Sequence, residues 1–150
     1  MFIIIIIQVS YICLCFCYLF FFRFVEKLND YTTMLIEDED LFISQMHDNT
    51  RAAKLRTLRL TLTNARMLME VWRQLTDTSH EAIRDKVVSA DYTIGDRLHV
   101  GCNNDFPYIA FRRWRRPNAR GEVFPGDHGF TLKPEDYSLF EKNVRYFTTL

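Results

Sequence analysis

No set of catalytic side chains can be assembled from these 150 residues. Asp127-His128 sits in a turn-forming stretch with no Ser or Cys nucleophile arranged beside it, and neither a glycine-rich phosphate loop nor a paired-carboxylate motif is present. An enzyme is therefore not expected, and no cofactor is implied. His47, His80, His99 and His128 stand apart from cysteines or carboxylates at metal-ligand spacing, which argues against a metal site. A disulfide framework is missing too: Cys13, Cys15 and Cys17 share one apolar run and only Cys102 lies elsewhere. The surplus of positive charge that marks a generally basic nucleic-acid binder is also absent, since the net formal charge is +0.

What the chain does have is charge segregation. Glu37-Asp38-Glu39-Asp40 is acidic, whereas Arg112 to Arg120 is basic, and local fields rather than the net value decide where a polyanion docks. A chain of this length can bury one real core with appendages.

Met1 to Phe22 is almost continuously apolar, and about 20 such residues span a bilayer as a helix. With no basic side chain ahead and Arg23 and Lys27 behind, an anchor here would leave the C-terminal part in the cytoplasm. A cleaved signal peptide fits less well, because Tyr18-Leu19-Phe20-Phe21-Phe22 offers no small-residue cleavage site. The competing reading is low-complexity sequence upstream of a true start at Met34 or Met46. The organisation expected is an apolar segment over 1–23, an acidic linker over 24–54, a strand–helix segment over 55–90 and a domain over 91–150.

Within that segment Leu58-Arg59-Leu60-Thr61-Leu62 alternates, and a helix opens at Thr63 or Asn64, both good N-caps. Met67, Leu68, Val71, Trp72 and Leu75 form one apolar stripe of that helix, of the kind that packs on a core. Thr76 to Ser89 is polar and reads as a linker or a second short helix. From Asp91 the period changes to two. Arg97 to Val100 and Tyr108 to Trp114 read as a hairpin around Asn103-Asn104-Asp105, Glu122 to Phe124 as a short third piece, Pro125 to Gly129 as a turn, and Phe130 to Leu132 as the last strand. Pro134 starts a final helix whose Tyr137, Phe140, Val144 and Phe147 cover one sheet face. The fold class is α+β: an antiparallel sheet of about four strands backed by a C-terminal helix, with an additional N-terminal helical segment and an apolar N-terminal stretch.

On the second strand Tyr108, Ala110, Arg112 and Trp114 face away from the helix, while Ile109 and Phe111 face it. Arg113, Arg115, Arg116 and Arg120 crowd the end of that open face, a mixture of rings and guanidinium groups suited to stacked bases beside phosphates. The plainer use of such arginines is a solvated edge that discourages strand-to-strand aggregation.

The run Gly121 to Tyr137, G-E-V-F-P-G-D-H-G-F-T-L-K-P-E-D-Y, resembles the C-terminal domain of the positive cofactor four family of transcriptional coactivators. Upstream, Tyr92-Thr93-Ile94-Gly95, Leu98-His99-Val100 and Ile109 to Trp114 are similar to its opening motif and first two strands, so the resemblance covers about Tyr92 to Val144, within a domain drawn to Phe147. It implies a curved sheet backed by a helix, dimerisation through helices, and sequence-tolerant binding of single-stranded or melted DNA in the nucleus alongside the transcription machinery.

Under the resemblance Arg112 takes the place of a DNA-contacting arginine, and Trp114 stands one residue before the family's contacting tryptophan, where Arg115 lies here. Arg97, His99, Phe106, Tyr108, Arg112, Arg113, Trp114, Arg115, Arg116 and Arg120 are the candidate contacts. The family's lysine-bearing turn becomes Asn103-Asn104-Asp105-Phe106 and its basic pair after P-G becomes Asp127-His128, which shifts positive charge toward the loop after the second strand.

Leu60-Thr61-Leu62-Thr63-Asn64 and its helix look like Phe130-Thr131-Leu132-Lys133-Pro134 and its helix, either a second domain copy reduced to its last strand and helix or a chance hydrophobic pattern. A true copy would let one chain imitate the family's dimer; otherwise a homodimer is expected. The partner expected is single-stranded DNA or RNA. The rival function is a membrane-tethered protein-interaction module, with the domain on the cytoplasmic side.

Overall fold

The acidic run Glu37–Asp40 turns a hairpin and is not part of a linker. The computed structural model describes residues 25–47 and 54–150, and in it Glu37 pairs with Asp40 across Asp38 (φ 48°) and Glu39 (φ 66°). Two-residue loops with positive φ at both positions match the twist of the strands they join, and Asp tolerates that region better than most side chains. Four strands follow one another: β1 (Val25–Asn29), β2 (Thr32–Glu37), β3 (Asp40–His47) and β4 (Lys54–Thr61), antiparallel and adjacent in chain order. Their inward residues Leu28, Met34, Ile36, Leu41, Ile43, Leu58 and Leu60 are buried. The linker expected over 24–54 is thus mostly sheet. A chain starting at Met34 would lack β1 and Thr32, and one starting at Met46 would lack nearly three strands of the core.

Thr61 closes β4 and caps helix α1 (Leu62–Ile83). Its hydroxyl accepts from the Asn64 N–H while its own N–H donates to Asn64 Oδ1 at 3.1 Å, a reciprocal capping box. The helix therefore opens slightly before Thr63, and it does not stop at Leu75. Its buried stripe runs through Ala65, Leu68, Trp72, Leu75, Ser79 and Ala82, and the last two are too small or polar to register as hydrophobic, which makes this single helix look like a linker in sequence.

The second half repeats the succession with β5 (Ser89–Thr93), β6 (Leu98–Asn103), β7 (Ile109–Trp114), β8 (Pro125–Leu132), a 3-10 turn (Pro134–Asp136) and α2 (Tyr137–Thr148). Glu122–Phe124 is not a strand, and Pro125–Gly129, expected as a turn, is the first part of β8. Pro125 sits on an edge strand where no ladder donor is needed, and Gly126 lets β8 close on β7: a Cβ there would lie 2.5 Å from the Arg113 carbonyl oxygen. The fold is α+β, two four-stranded antiparallel sheets with a helix after each.

The registers align the halves. Leu41 pairs with Leu60 as Ile109 pairs with Leu132, and Leu35 pairs with Phe42 as Gly101 pairs with Ala110. The same correspondence sets Asn64 beside Asp136 and Gln45 beside Arg113, and each pair makes matching contacts with the opposite half. Asn64 Nδ2 donates to the Ile94 carbonyl in the β5–β6 turn at 2.6 Å, while Asp136 Oδ2 accepts from Asn29 Nδ2 at the β1–β2 turn at 2.8 Å. Gln45 Nε2 donates to the Thr131 carbonyl of β8, and Arg113 Nη2 donates to the Arg59 carbonyl of β4. The halves are thus related by an approximate two-fold within one chain.

Packing joins the two halves. Helix α1 lies on β5 and β6 of the other half and against α2, strand β4 lies near β8, and the buried residues of both sheets and helices form one hydrophobic cluster. Among the described residues no helix is long and apolar enough to cross a membrane; the apolar Met1–Phe22 lies outside them.

Asp136 supplies a pH test. Burial, helped by Glu135, holds its carboxyl above the ordinary value despite the Asn29 bond and Lys133, which act the other way. The folded chain then keeps a proton that the unfolded chain has released, so stability falls as pH rises from the unfolded pKa through the folded one. Asp136→Asn, which keeps an acceptor for Asn29, is expected to remove that slope. The variant should exceed the parent in urea midpoint at pH 7 and converge with it near pH 3; equal midpoints at both pH values would show that the carboxylate carries no penalty.

Candidate nucleic-acid interface

Strand alternation decides what the second sheet shows to solvent. Leu98, Val100, Cys102, Ile109 and Phe111 turn inward and are buried, so His99, Gly101, Ala110, Arg112 and Trp114 lie on the outer face. Register places His99 opposite Arg112 and Gly101 opposite Ala110. The His99 and Trp114 rings meet at 4.9 Å, tilted by 48°. Arg112 is exposed, lies over Gly129 of β8, and has no ion-pair partner among the described residues.

Between these groups runs an open groove of about 380 Å³, lined by Asp91, His99, Gly101, Phe106, Arg112 and Trp114 among others. Its floor is the Gly101–Ala110 pair. Gly101 is required there, since a Cβ would sit 2.5 Å from the Ala90 carbonyl oxygen. In the first sheet the corresponding positions hold the larger side chains of Leu35 and Phe42. The ring-and-guanidinium face therefore belongs to one half only.

The far wall comes from the β6–β7 loop. Phe106 and Tyr108 are exposed and meet edge to face at 6.0 Å. The loop is held by Phe106 N–H on Asn103 Oδ1, by Asn104 Nδ2 on the Lys86 carbonyl, and by a buried chain beneath it. In that chain the Ile109 N–H donates to Tyr137 Oη, which lies 2.7 Å from Ser79 Oγ, and Ser79 donates to the Pro107 carbonyl. Burial raises the Tyr137 phenol above its ordinary value, so it stays a neutral donor here.

The ten predicted residues do not form one patch. His99, Arg112, Trp114 and Phe106 share the groove, with Tyr108 against Phe106. Arg113 points the other way, toward the first half, beside Arg97 and Arg115 in a separate cleft. Arg116 and Arg120 are exposed on the β7–β8 loop, off the sheet face; that loop is folded on Asn118, whose Oδ1 accepts the Arg120 and Glu122 N–H groups. Sequence reasoning missed Asp91, whose Oδ1 lies 3.7 Å from His99 Nδ1, and Arg59 of the first half. Alternation across Leu58-Arg59-Leu60 already turned Arg59 outward; what it lies beside depends on long-range pairing.

Nucleophilic chemistry has no support at Cys102, which is buried with its thiol pushed up to about 11 by desolvation. Among the described residues no group of three His, Cys, Asp or Glu side chains is placed to hold a metal ion. The side chains of Asp127 and His128 lie outside the described set. No family model, curated protein or solved structure matches this chain.

Proposed function

We propose that the chain binds single-stranded DNA or melted duplex without sequence preference through the outer face of its second sheet, as a transcription or replication accessory protein. The observation that carries this reading is the close, tilted His99–Trp114 ring pair beside Arg112, which has no ion-pair partner among the described residues, over a floor of Gly101 and Ala110. Rings offer stacking surfaces to any base, and a guanidinium with no carboxylate partner suits a phosphate. A duplex hides its base faces, so the same geometry favours single strands. The resemblance to the positive cofactor four family points the same way, and the pairing of two β4–α halves in one chain would take the place of that family's dimer.

The test is a titration of the full chain, kept soluble with a non-ionic detergent, against labelled single-stranded and duplex oligonucleotides at several salt concentrations. Single strands are expected to bind more tightly, with a log–log salt slope of about −0.7 per phosphate neutralised. Trp114→Ala is expected to weaken binding about 10- to 100-fold, the equivalent of about 1–3 kcal/mol for a lost stack, and Arg112→Ala to weaken it while flattening the salt slope. Equal affinity of both variants and the parent would sink this reading, as would the absence of any binding at low salt. The membrane-tethered interaction module would then be the reading to pursue.

A further inference from the structure

A second concavity, of about 650 Å³, opens where the two halves meet. The first half lines it with Thr57 and Arg59 of β4 among others, and the second with Asp96 and Arg97 of the β5–β6 turn, Arg113 and Trp114 at the end of β7, and Arg115 just after it. Trp114 borders both this cleft and the outer-face groove, so the two share one ring.

The charges are unequally spent. Arg59 is held by Asp40, with Nε 2.7 Å from Oδ2. Among the described residues Arg113 donates only to backbone, to the carbonyls of Asp96 (2.9 Å) and Arg59 (3.4 Å). Neither Arg113 nor Arg97 has a carboxylate partner among the described residues. The internal two-fold supplies the decisive comparison. Gln45, at the position matching Arg113, makes the same bridge to the opposite half with a neutral amide. Holding the halves together thus needs an N–H donor and no charge, and the positive charge at 113 is surplus to the fold.

We infer that this cleft is a phosphate-binding site that leads a single strand off the second sheet, past Trp114, and onto the first half, with Arg113 and Arg97 contacting the phosphates. The inference rests on the binding mode proposed above. It names a path that crosses both halves, and it predicts that affinity grows with strand length beyond what the sheet face alone can cover.

Arg113→Gln copies the native solution of the other half, and Arg97→Asn suits the left-handed backbone at that position (φ 59°). Both variants should melt with the parent. Labelled oligothymidylates of about 6 and about 16 nucleotides bracket the site sizes of single-strand binders. The double variant of the full chain is expected to bind the longer strand about tenfold more weakly, with a salt slope shallower by about 0.7 for each phosphate it no longer neutralises, and to bind the shorter strand like the parent. Unchanged binding of the longer strand, or equal weakening of both, would overturn the cleft. Trp114→Ala and Arg112→Ala, run alongside, separate the failures: if they still weaken the short strand, the sheet-face reading stands without the cleft, and if they do not, both are wrong.

Discussion

Trp72→Ala is expected to lower the unfolding free energy by about 3–5 kcal/mol, the range for emptying a large buried aromatic site, and to unfold both halves together. Trp72 is fully buried, packs on Phe140 at 5.1 Å and on the edge of Tyr137 at 5.9 Å, and donates through Nε1 to Glu141 at 3.0 Å. All three partners belong to the second half, and α1 lies on the second sheet, so a cavity here removes packing that both halves share. Against a typical domain stability of about 5–15 kcal/mol the loss is large. With only two tryptophans in the chain, the variant leaves Trp114 as the sole indole and a reporter of the second sheet. Urea unfolding followed by far-UV circular dichroism and by Trp114 fluorescence should give coincident transitions. Separate transitions would show that each half carries its own core. Trp72→Phe, which keeps most of the ring and loses the Glu141 bond, should cost less.

The second half was readable from sequence because its strands alternate cleanly. In β6 and β7 the outward positions His99, Gly101, Ala110 and Arg112 are small or polar between buried Val100, Ile109 and Phe111, so the period of two survives and the groove residues follow by parity. The same parity puts Arg113 with Ile109 and Phe111 on the inward side, and only crowding all the arginines onto one face obscured it. The first half hid itself for the opposite reason. Leu35 and Phe42 stand on the outer face, which turns Met34-Leu35-Ile36 and Leu41-Phe42-Ile43 into unbroken apolar triplets with no strand period, and the acidic turn between them resembles a linker.

The repeat itself could be suspected but not registered. The sequence likeness sets Leu60 against Phe130, whereas the ladders set Leu60 against Leu132. A slip of two residues leaves every side chain on the same face, so an alternating pattern cannot detect it. Interactions between the halves, such as Asn29 with Asp136 across 107 positions, have no local signature at all.

Asn64 is where that hidden symmetry has its largest single-residue consequence. Asn64→Leu is expected to cost about 2–4 kcal/mol, combining a lost helix cap with a buried carbonyl left without its donor. The amide does two tasks: Oδ1 accepts from the Thr61 N–H and hydroxyl, and Nδ2 donates to the Ile94 carbonyl. The turn is fitted closely around it, for a Cβ on Gly95 (φ 89°) would come within 2.7 Å of Nδ2. Asn64→Asp separates the tasks. Its carboxyl can still receive the Thr61 N–H, but the ionised form presents an oxygen to the Ile94 carbonyl in a buried site, which raises its folded pKa above the unfolded one. Stability of this variant should therefore fall as pH rises through that window, and recover at low pH where the protonated acid can donate to Ile94. Thermal melts from pH 3 to 8 would show the difference from the parent widening with pH. A constant difference would mean that the bond to Ile94 contributes nothing, and that the cap alone explains why Asn64 is buried. Because the Ile94–Leu98 turn also carries Arg97, Asn64→Leu should loosen the inter-half cleft while leaving the His99–Trp114 face intact, so its binding defect, measured below the melting range, should appear with long strands and not with short ones.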